Sequence, residues 1–538
     1  MSKLRITMAQ LDFVVGRIEG NRDRILEIIK DAQKNQVDLV LFPELCLTGY
    51  PPEDLLLRKD FLDRVDAALE AIAKATQGIT AIIGFPERKA GHLFNSAAIL
   101  SNGHTLSTYQ KRLLPNYGVF DEKRYFKEGN APCVFEMSDM NIGLTLCEDI
   151  WHEGPVEASV AAGADLIISL NASPFHAGKL HERHQLIQAR AKAHQTPIVY
   201  LNLVGGQDEL VFDGASFAMD LNGELCFQAP EFKESLEIIE IETQPSIKLL
   251  KGQLTPALSE DAQIYEALVT GIRDYVKKNG FQGAVLGLSG GIDSALTLAL
   301  AVDALGSKEV EVILMPSRYT ADMSNEDARL EAEALGCQMH TIPIEPAFRT
   351  FLEMLEPAFE GRPADLTEEN IQARCRGILL MALSNKKGKI LLTTGNKSEM
   401  SVGYATLYGD MAGGFAPLKD IPKLLVYRLS RYRNTVSSVI PERVLTRAPS
   451  AELRPDQRDE DSLPPYPVLD EILERYIERD QSITDIIAAG LPEQDVRRVT
   501  RMVDRNEYKR RQAPPGVKVT PRAFGRDRRY PMTHGFSH

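Results

Sequence analysis

The sequence predicts a two-domain α/β protein whose second half is a doubly wound (Rossmann-like) parallel sheet. Three observations lead there. The chain has 538 residues, more than one hydrophobic core organises. Short apolar runs alternate with amphipathic stretches in both halves, the pattern of layered α/β structure. In the second half the run Ala284-Val285-Leu286-Gly287-Leu288 passes through Ser289-Gly290-Gly291-Ile292-Asp293-Ser294 into a second apolar run, Ala295 to Ala301. That is the layout of a buried strand, a tight glycine turn and a helix.

Taken in order, residues 4–9, 39–42, 80–85, 141–146, 166–170 and 198–203 read as strands, and 21–33, 61–75 and 180–194 as amphipathic helices. Residues 212–221 and 225–228 read as a hairpin about Asn222-Gly223. Polar sequence from about 243 to 258 carries no strand pattern, so a first domain over 1–245, a linker over 246–259 and a second domain over 260–538 are expected. The second domain opens with a helix at 260–278. Strands at 311–315 and 390–394 then alternate with helices at 325–335 and 370–384. Ligands of such sheets bind at the carboxyl ends of the strands, where Ser289–Ser294 and Thr394-Gly395-Asn396 stand. The stretch 449–467, rich in Pro, Arg and Asp, is expected to be a surface loop or one ordered on binding.

A formal net charge of −13 argues against a general nucleic-acid binder. Locally the chain turns basic from Arg497 to Arg529, through Lys509, Arg510 and Arg511, a solvated face or a phosphate-holding one. Six scattered cysteines form no CxxC pair, which suits a reducing cytoplasm. The amino terminus enters a strand pattern with no signal-peptide features. The apolar segment 284–305 is interrupted by Asp293 and Asp303, so neither a membrane span nor a membrane partner is expected.

The glycine turn carries chemistry. Adjacent glycines let the backbone approach a bulky anion, and hydroxyls and free N–H groups at a helix start hold phosphate oxygens. Asp293 adds a carboxylate for a phosphate-bound Mg²⁺. No Gly-Lys-Ser/Thr follows, so this is not a Walker A loop. The string resembles the pyrophosphate loop of the ATP pyrophosphatases, which split ATP into AMP and pyrophosphate.

In the first half, Cys147 ends a strand-like run and precedes Glu148-Asp149-Ile150-Trp151. A nucleophile exposed on a turn after a strand suits covalent catalysis, although a cysteine so placed is usually an inert core thiol. Glu44 and Lys111, in strand–loop settings, could supply the base and the cation that a thiol needs. A Cys147–His152 dyad has no local support, and His181-Glu182-Arg183-His184 falls short of a HExxH metal motif. The strings FPELCLTGYPPEDLL, YQKRLLPNYGVFDEKRYF and LCEDIW resemble, in order, motifs of the nitrilase superfamily. That resemblance implies an αββα sandwich and a Glu-Lys-Cys triad. Glu44 would be the general base, Lys111 the stabiliser of the oxyanion and Cys147 the nucleophile that releases ammonia from a carboxamide. From the glutaminase members it carries Tyr117, Ser173 and Lys179 over as glutamine-binding residues.

The second half adds Thr367–Arg374, Thr394-Gly395-Asn396-Lys397-Ser398-Glu399, Tyr408-Gly409-Asp410-Met411 and Asn506–Gln512. These resemble motifs of the NAD synthetase family, and with the first half they resemble its glutamine-dependent branch. The resemblance implies ATP on Gly287, Leu288, Ser289, Gly290, Gly291, Ile292, Asp293 and Ser294, with Thr394 and Lys423. It implies Mg²⁺ on Asp293 and Glu399, and deamido-NAD on Asn370, Glu399 and Lys509. No prosthetic group is expected, and a homo-oligomer built on synthetase-domain dimers is. The implied reaction is amidation of deamido-NAD by ammonia from glutamine, with ATP split to AMP and pyrophosphate. Free ammonia is mostly protonated in water, so a fused glutaminase makes sense if ammonia travels by a dry interior path. The alternative is another pyrophosphate-loop amidotransferase acting on a different acid. A scaffold without catalysis would have no need of Glu44, Lys111 and Cys147 together.

Overall fold

The computed structural model describes residues 3–244, 246–455 and 457–536. Met1 and Ser2, read above as the lead into the first strand, and Pro245 at the expected domain edge lie outside them. The described chain divides into two compact units, one of residues 3–207 and 211–259, the other of 208–210 and 260–536.

The first unit is an αββα sandwich. Its first sheet is built from β1 (Lys3–Gln10), β2 (Leu39–Leu41), β3 (Thr80–Lys89), β4 (His92–Ser101) and β5 (His104–Gln110). Helices α1 (Ile18–Lys34) and α2 (Lys59–Ala75) lie between these strands in sequence. The second sheet contains β6 (Val134–Met137), β7 (Met140–Leu146), β8 (Leu166–Asn171) and β9 (Ile198–Asn202). Helices α3 (Glu148–Trp151) and α4 (Pro155–Ala161) follow β7, and α5 (Lys179–His194) follows β8. The hairpin β10 (Val204–Gln207) and β11 (Leu210–Asp213) precedes β12 (Phe217–Met219), β13 (Leu225–Gln228), β14 (Ser235–Glu242) and β15 (Lys248–Leu249). The sheet orders are β15-β14-β1-β2-β3-β4-β5 and β13-β12-β9-β8-β7-β6.

The sheets meet face to face. Ile6, Leu41, Ile82 and Ile99 of the first pack in one buried cluster with Ile142, Leu144, Ile168 and Val199 of the second. Ile187 and Ala191 of α5 cover the other face of the second sheet, against Ile167, Ile198 and Phe217. The central strands β7, β8 and β9 pair in parallel, so their carboxyl ends share one rim.

The second unit begins with α6 (Glu260–Lys278) and β16 (Ala284–Gly287). There follow α7 (Ile292–Leu305), β17 (Val310–Leu314), α8 (Asp322–Leu335), β18 (Gln338–Thr341), α9 (Glu345–Phe359), α10 (Leu366–Lys387) and β19 (Ile390–Leu391). The strands form a parallel sheet in the order β18-β17-β16-β19. The order reverses at β16, which puts the glycine turn at the switch point. Helices α11 (Lys397–Val402), α12 (Lys423–Val436) and α13 (Glu442–Thr446) follow. The chain ends with α14 (Tyr466–Leu473), α15 (Ile483–Ala488), α16 (Glu493–Arg505) and α17 (Glu507–Arg510). Leu469, Ile472, Ile486, Val496 and Val499 give these last helices a core of their own.

Several expectations are corrected. The stretch expected as a linker, 246–259, carries a short strand. Within it β15 pairs with β14, Ile241 opposite Leu249, and Leu249 is buried. Two paired residues were too few to give an alternating pattern. The strand expected over 212–221 is broken at Gly214, whose φ is +65°, and only Phe217–Met219 pairs with β13. The strand expected over 390–394 is regular only at Ile390–Leu391, with Leu392 adding an isolated bridge to Phe415. Strand β4 went unread because it is buried on both faces over most of its length and so lacks alternation, and β5 because it is exposed over most of its length and shows no apolar side. The expected loop at 449–467, of which Asp456 lies outside the described residues, is tied down at Glu452 and Leu453, where Ser324 Oγ donates to Glu452 Oε1 at 2.7 Å and Gln372 Nε2 to the Leu453 carbonyl at 3.0 Å.

Candidate active sites

Cys147 directly follows β7 and caps α3 with a φ of +43°. A non-glycine residue in that region is held there by its surroundings. Its N–H donates to the Leu170 carbonyl at 3.1 Å, and Asp149 braces the turn from below. Asp149 accepts from Leu146 N–H at 3.1 Å, Leu113 N–H at 2.8 Å and the Tyr109 hydroxyl at 2.8 Å. One buried carboxylate thus ties the cysteine turn to the backbone just past Lys111.

Glu44 and Lys111 arrive from the other sheet. Lys111 Nζ stands 2.7 Å from Glu44 Oε1, with both side chains fully buried. Glu44 also accepts from Asn95 Nδ2 at 2.8 Å and, through Oε2, from the Ala172 N–H at 3.0 Å. Gly84 of β3 makes room for this turn. A Cβ there would sit 2.5 Å from the Pro43 carbonyl oxygen and closer still to the Leu45 nitrogen.

A second carboxylate completes the group. Glu122 Oε1 lies 2.9 Å from Lys111 Nζ and accepts from the Tyr50 hydroxyl at 3.0 Å. Sequence reasoning missed it, although it sits inside the quoted string YGVFDEKRYF. Burial opposes the Lys111 charge, but Glu122 and Glu44 outweigh it and hold its pKa well above the ordinary lysine value. Burial pushes the Glu122 carboxyl up, against the pull of Lys111. Burial and the Glu44 carboxylate push the Cys147 thiol well above its ordinary range. The resting sulfur is therefore protonated, and the site needs a base more than a preformed thiolate.

The residues expected to hold glutamine take different places. The Tyr117 hydroxyl donates to Glu148, 3.0 and 3.1 Å from its two oxygens. Lys179 Nζ lies 3.8 Å from the Trp151 ring centroid and 3.1 Å from Glu182. Ser173 is buried, its hydroxyl accepting from the Arg183 guanidinium. Arg183 is paired in turn with Asp213 at 2.8 Å. Tyr117, Glu148 and Lys179 leave one anion and one cation beside Cys147.

In the second unit the glycine turn follows β16. Gly290 has φ +79°, and a Cβ on it would strike the Ser324 carbonyl, so only glycine fits. Ser289 and Ser294 hydroxyls lie 3.0 Å apart, and Gly291 N–H donates to Ser289 Oγ at 3.2 Å. Asp293 opens α7. Lys423 Nζ bridges Asp293 Oδ2 at 2.5 Å and Glu399 Oε1 at 3.2 Å. Asn396, unassigned from sequence, donates to Asp293 Oδ1 at 2.8 Å and caps α11 by accepting from Glu399 N–H at 3.0 Å. Thr394 is half-buried just before it. Burial works against the Lys423 charge, yet Asp293 and Glu399 raise its pKa.

Asn370 and Lys509 stand apart from that trio. Asn370 accepts from the Thr406 hydroxyl at 2.8 Å, and Lys509 Nζ donates to the Gly403 and Ala405 carbonyls at 2.8 and 2.9 Å. Both brace the 403–406 loop. Among the described residues no group of three or more His, Cys, Asp and Glu side chains is placed to hold a metal. Asp293 and Glu399 alone are a donor set for a phosphate-bound Mg²⁺, which takes one or two carboxylates and completes its shell with phosphate oxygens and water.

A Glu-Lys-Cys hydrolase unit on an αββα sandwich and an adenylating unit on a parallel sheet together define an ATP-dependent ligase with its own amidase. The carbon–nitrogen hydrolase family profile matches residues 5–246, and that of NAD synthase matches 264–513. The chain belongs to the glutamine-dependent NAD(+) synthetase family. It is 49% identical to the member from Acinetobacter baylyi, over 100% of this chain and 99% of that protein. It is 44% identical to that from Thermotoga maritima, over 100% and 99%. The structure of the Acinetobacter baumannii enzyme with adenosine diphosphate superposes with a TM-score of 0.82, at 47% identity, covering 99% of this chain and 98% of that one.

Proposed function

We propose that this chain makes NAD from deamido-NAD, with ATP as activator and glutamine as the nitrogen source. Support comes above all from one observation: a single chain carries both the buried Glu44–Lys111 pair beside Cys147 and the Asp293–Lys423–Glu399 cluster at a pyrophosphate-type turn.

In the first unit, Cys147 Sγ attacks the side-chain amide carbon of glutamine while its proton passes to Glu44. The C–S bond forms, and the oxyanion is held by Lys111 and a main-chain N–H after Cys147. Glu44 returns the proton to the leaving nitrogen, the C–N bond breaks and ammonia departs. Glu44 then takes a proton from water, which hydrolyses the thioester to glutamate. Glu148 with Tyr117 suits the substrate's α-ammonium, and Lys179 its α-carboxylate.

In the second unit the turn at 287–294, with Thr394, holds the ATP phosphates. The nicotinate carboxylate of deamido-NAD attacks the α-phosphorus, and pyrophosphate leaves. Mg²⁺, held by Asp293 and Glu399, would neutralise charge on that leaving group. Lys423 adds a fixed cation beside the phosphates. Ammonia then attacks the mixed anhydride, the new C–N bond forms and AMP leaves. Asn370 and Lys509 position the dinucleotide through the 403–406 loop. A homo-oligomer belongs to the same proposal, supported by exposed Phe351 and Met354 on α9 and Leu366 and Ile378 on α10. A cytoplasmic setting is supported by six free cysteines. No helix among the described residues is long and apolar enough to cross a membrane.

The test compares nitrogen donors in one assay. Cys147→Ala should lose glutamine-driven synthesis and keep turnover with ammonium. Equal loss with both donors would refute the division of labour.

A further inference from the structure

Helix α12 begins without a cap of its own. Its N-cap is Pro422, with no side-chain cap, and its first residue is Lys423. A cation at a helix amino end faces the positive end of the macrodipole, and the first N–H groups of the helix need partners. Both needs are met from outside. The Lys423 N–H donates to Ser398 Oγ at 2.9 Å, and the Leu424 N–H to Asp470 Oδ2 at 2.9 Å. The Ser398 hydroxyl in turn donates to Asp470 Oδ1. Ser398 and Asp470 are both buried.

This short chain of bonds joins three elements. Ser398 lies in the first turn of α11, next to Glu399. Leu424 lies in the first turn of α12, next to Lys423. Asp470 comes from α14, in the separate core of the carboxyl-terminal helices. The same helix acts again about two turns on, where α14 continues as a π-turn over Glu474–Glu478. Lys397 Nζ lies 2.7 Å from Glu478 and 2.9 Å from Asp420. Two neighbours in the first turn of α11, between Asn396 and Glu399, are thus gripped by carboxylates of one helix.

We propose that Asp470 is a positioning residue for the nucleotide centre, holding the starts of α11 and α12 in the register that brings Glu399 and Lys423 to Asp293. It touches neither substrate nor metal. Its two oxygens are spent on the Ser398 hydroxyl and the Leu424 N–H, so it acts through the residues beside those groups. The inference rests on reading Asp293, Glu399 and Lys423 as the ATP and metal centre.

The experiment uses the full chain with ammonium as donor and three variants: Asp470→Asn, Ser398→Ala and Ser398→Thr. ATP and Mg²⁺ are titrated in turn. Binding of a non-hydrolysable ATP analogue with Mg²⁺ is measured by calorimetry, and the thermal midpoint is recorded. Asp470→Asn keeps an acceptor for Leu424, so the fold should persist, with a midpoint within a few degrees of wild type. Half-saturating Mg²⁺ and the KM for ATP should rise about 10- to 100-fold, and the analogue should bind weaker by a similar factor, the scale of losing a hydrogen bond to a charged group. Ser398→Ala should match it. Ser398→Thr, which retains the hydroxyl, should restore near-wild-type constants. The double variant Asp470→Asn/Ser398→Ala should be no worse than either alone, because both break one chain of bonds. Wild-type ATP, Mg²⁺ and analogue constants in Asp470→Asn would overturn the proposal. So would Ser398→Thr as impaired as Ser398→Ala, or a lowered midpoint with unchanged constants. A wild-type protein that forms no AMP from ATP and deamido-NAD would overturn the functional reading itself, and this inference with it.

Discussion

Glu122 Oε1 lies 2.9 Å from Lys111 Nζ, and both side chains are buried. With Glu44 on its other contact, the lysine ammonium is shared by two carboxylates. In the proposed reaction Glu44 takes and returns a proton, and Glu122 would keep Lys111 charged while Glu44 is protonated. Glu122→Gln preserves the shape and removes that charge. Glutamine-driven turnover should fall about 10²-fold, the range of a misplaced oxyanion stabiliser, while ammonium-driven turnover stays near wild type. Parallel steady-state assays with the two donors check it.

Gly84 is a second test of the same site, from beneath. Alanine there drives its Cβ into the Pro43–Leu45 backbone, and the turn carrying Glu44 must shift. Gly84→Ala should lower stability by about 1–3 kcal/mol, the cost of overpacking, and lose most glutamine hydrolysis. Denaturant melts and glutamate release read the two effects separately.

Asp293→Ala should abolish synthesis with either nitrogen donor, by 10³-fold or more on the scale of lost electrostatic stabilisation of a transferring group. It removes the proposed oxygen ligand and takes away the Asp293 partner of the Lys423 ammonium, leaving Glu399. AMP formation with ammonium as donor is the measurement. Survival of that activity would take Asp293 out of the metal site.

Glu331 predicts a pH effect on stability. It is buried on α8, its Oε1 lacks a hydrogen bond, and burial, with Asp327 nearby, pushes its pKa up to about 8. The folded-state value is thus above the unfolded value near 4.5. Its contribution to stability is present in full below the unfolded value and is lost as pH rises through about 8. Glu331→Gln stays neutral throughout. Its stability relative to wild type should grow from pH 5 to pH 9 by an amount of the order of a few kcal/mol. Urea melts at several pH values give the difference.

Much of this molecule was legible in one dimension. The alternation of apolar runs and amphipathic helices announced two α/β layers because side-chain periodicity is a local property of strand and helix. Ser289–Ser294 announced phosphate chemistry because glycine at a strand–helix turn is itself the structural requirement. Strands β4 and β5 stayed hidden for the opposite reason: one is buried and the other exposed for most of its length, so neither shows alternation, and only their neighbours reveal them. The residues missed at the sites follow the same rule. Glu122 and Asn95 are ordinary polar residues in sequence, and Asp470 lies 72 residues beyond Ser398. Sequence by itself marked the groups proposed to carry the chemistry, because such groups are chosen for their reactivity. Tertiary structure alone decided which carboxylate balances Lys111 and which helix grips the start of α11 beside Glu399, because the energy of a buried charge depends on what surrounds it rather than on what precedes it in the chain.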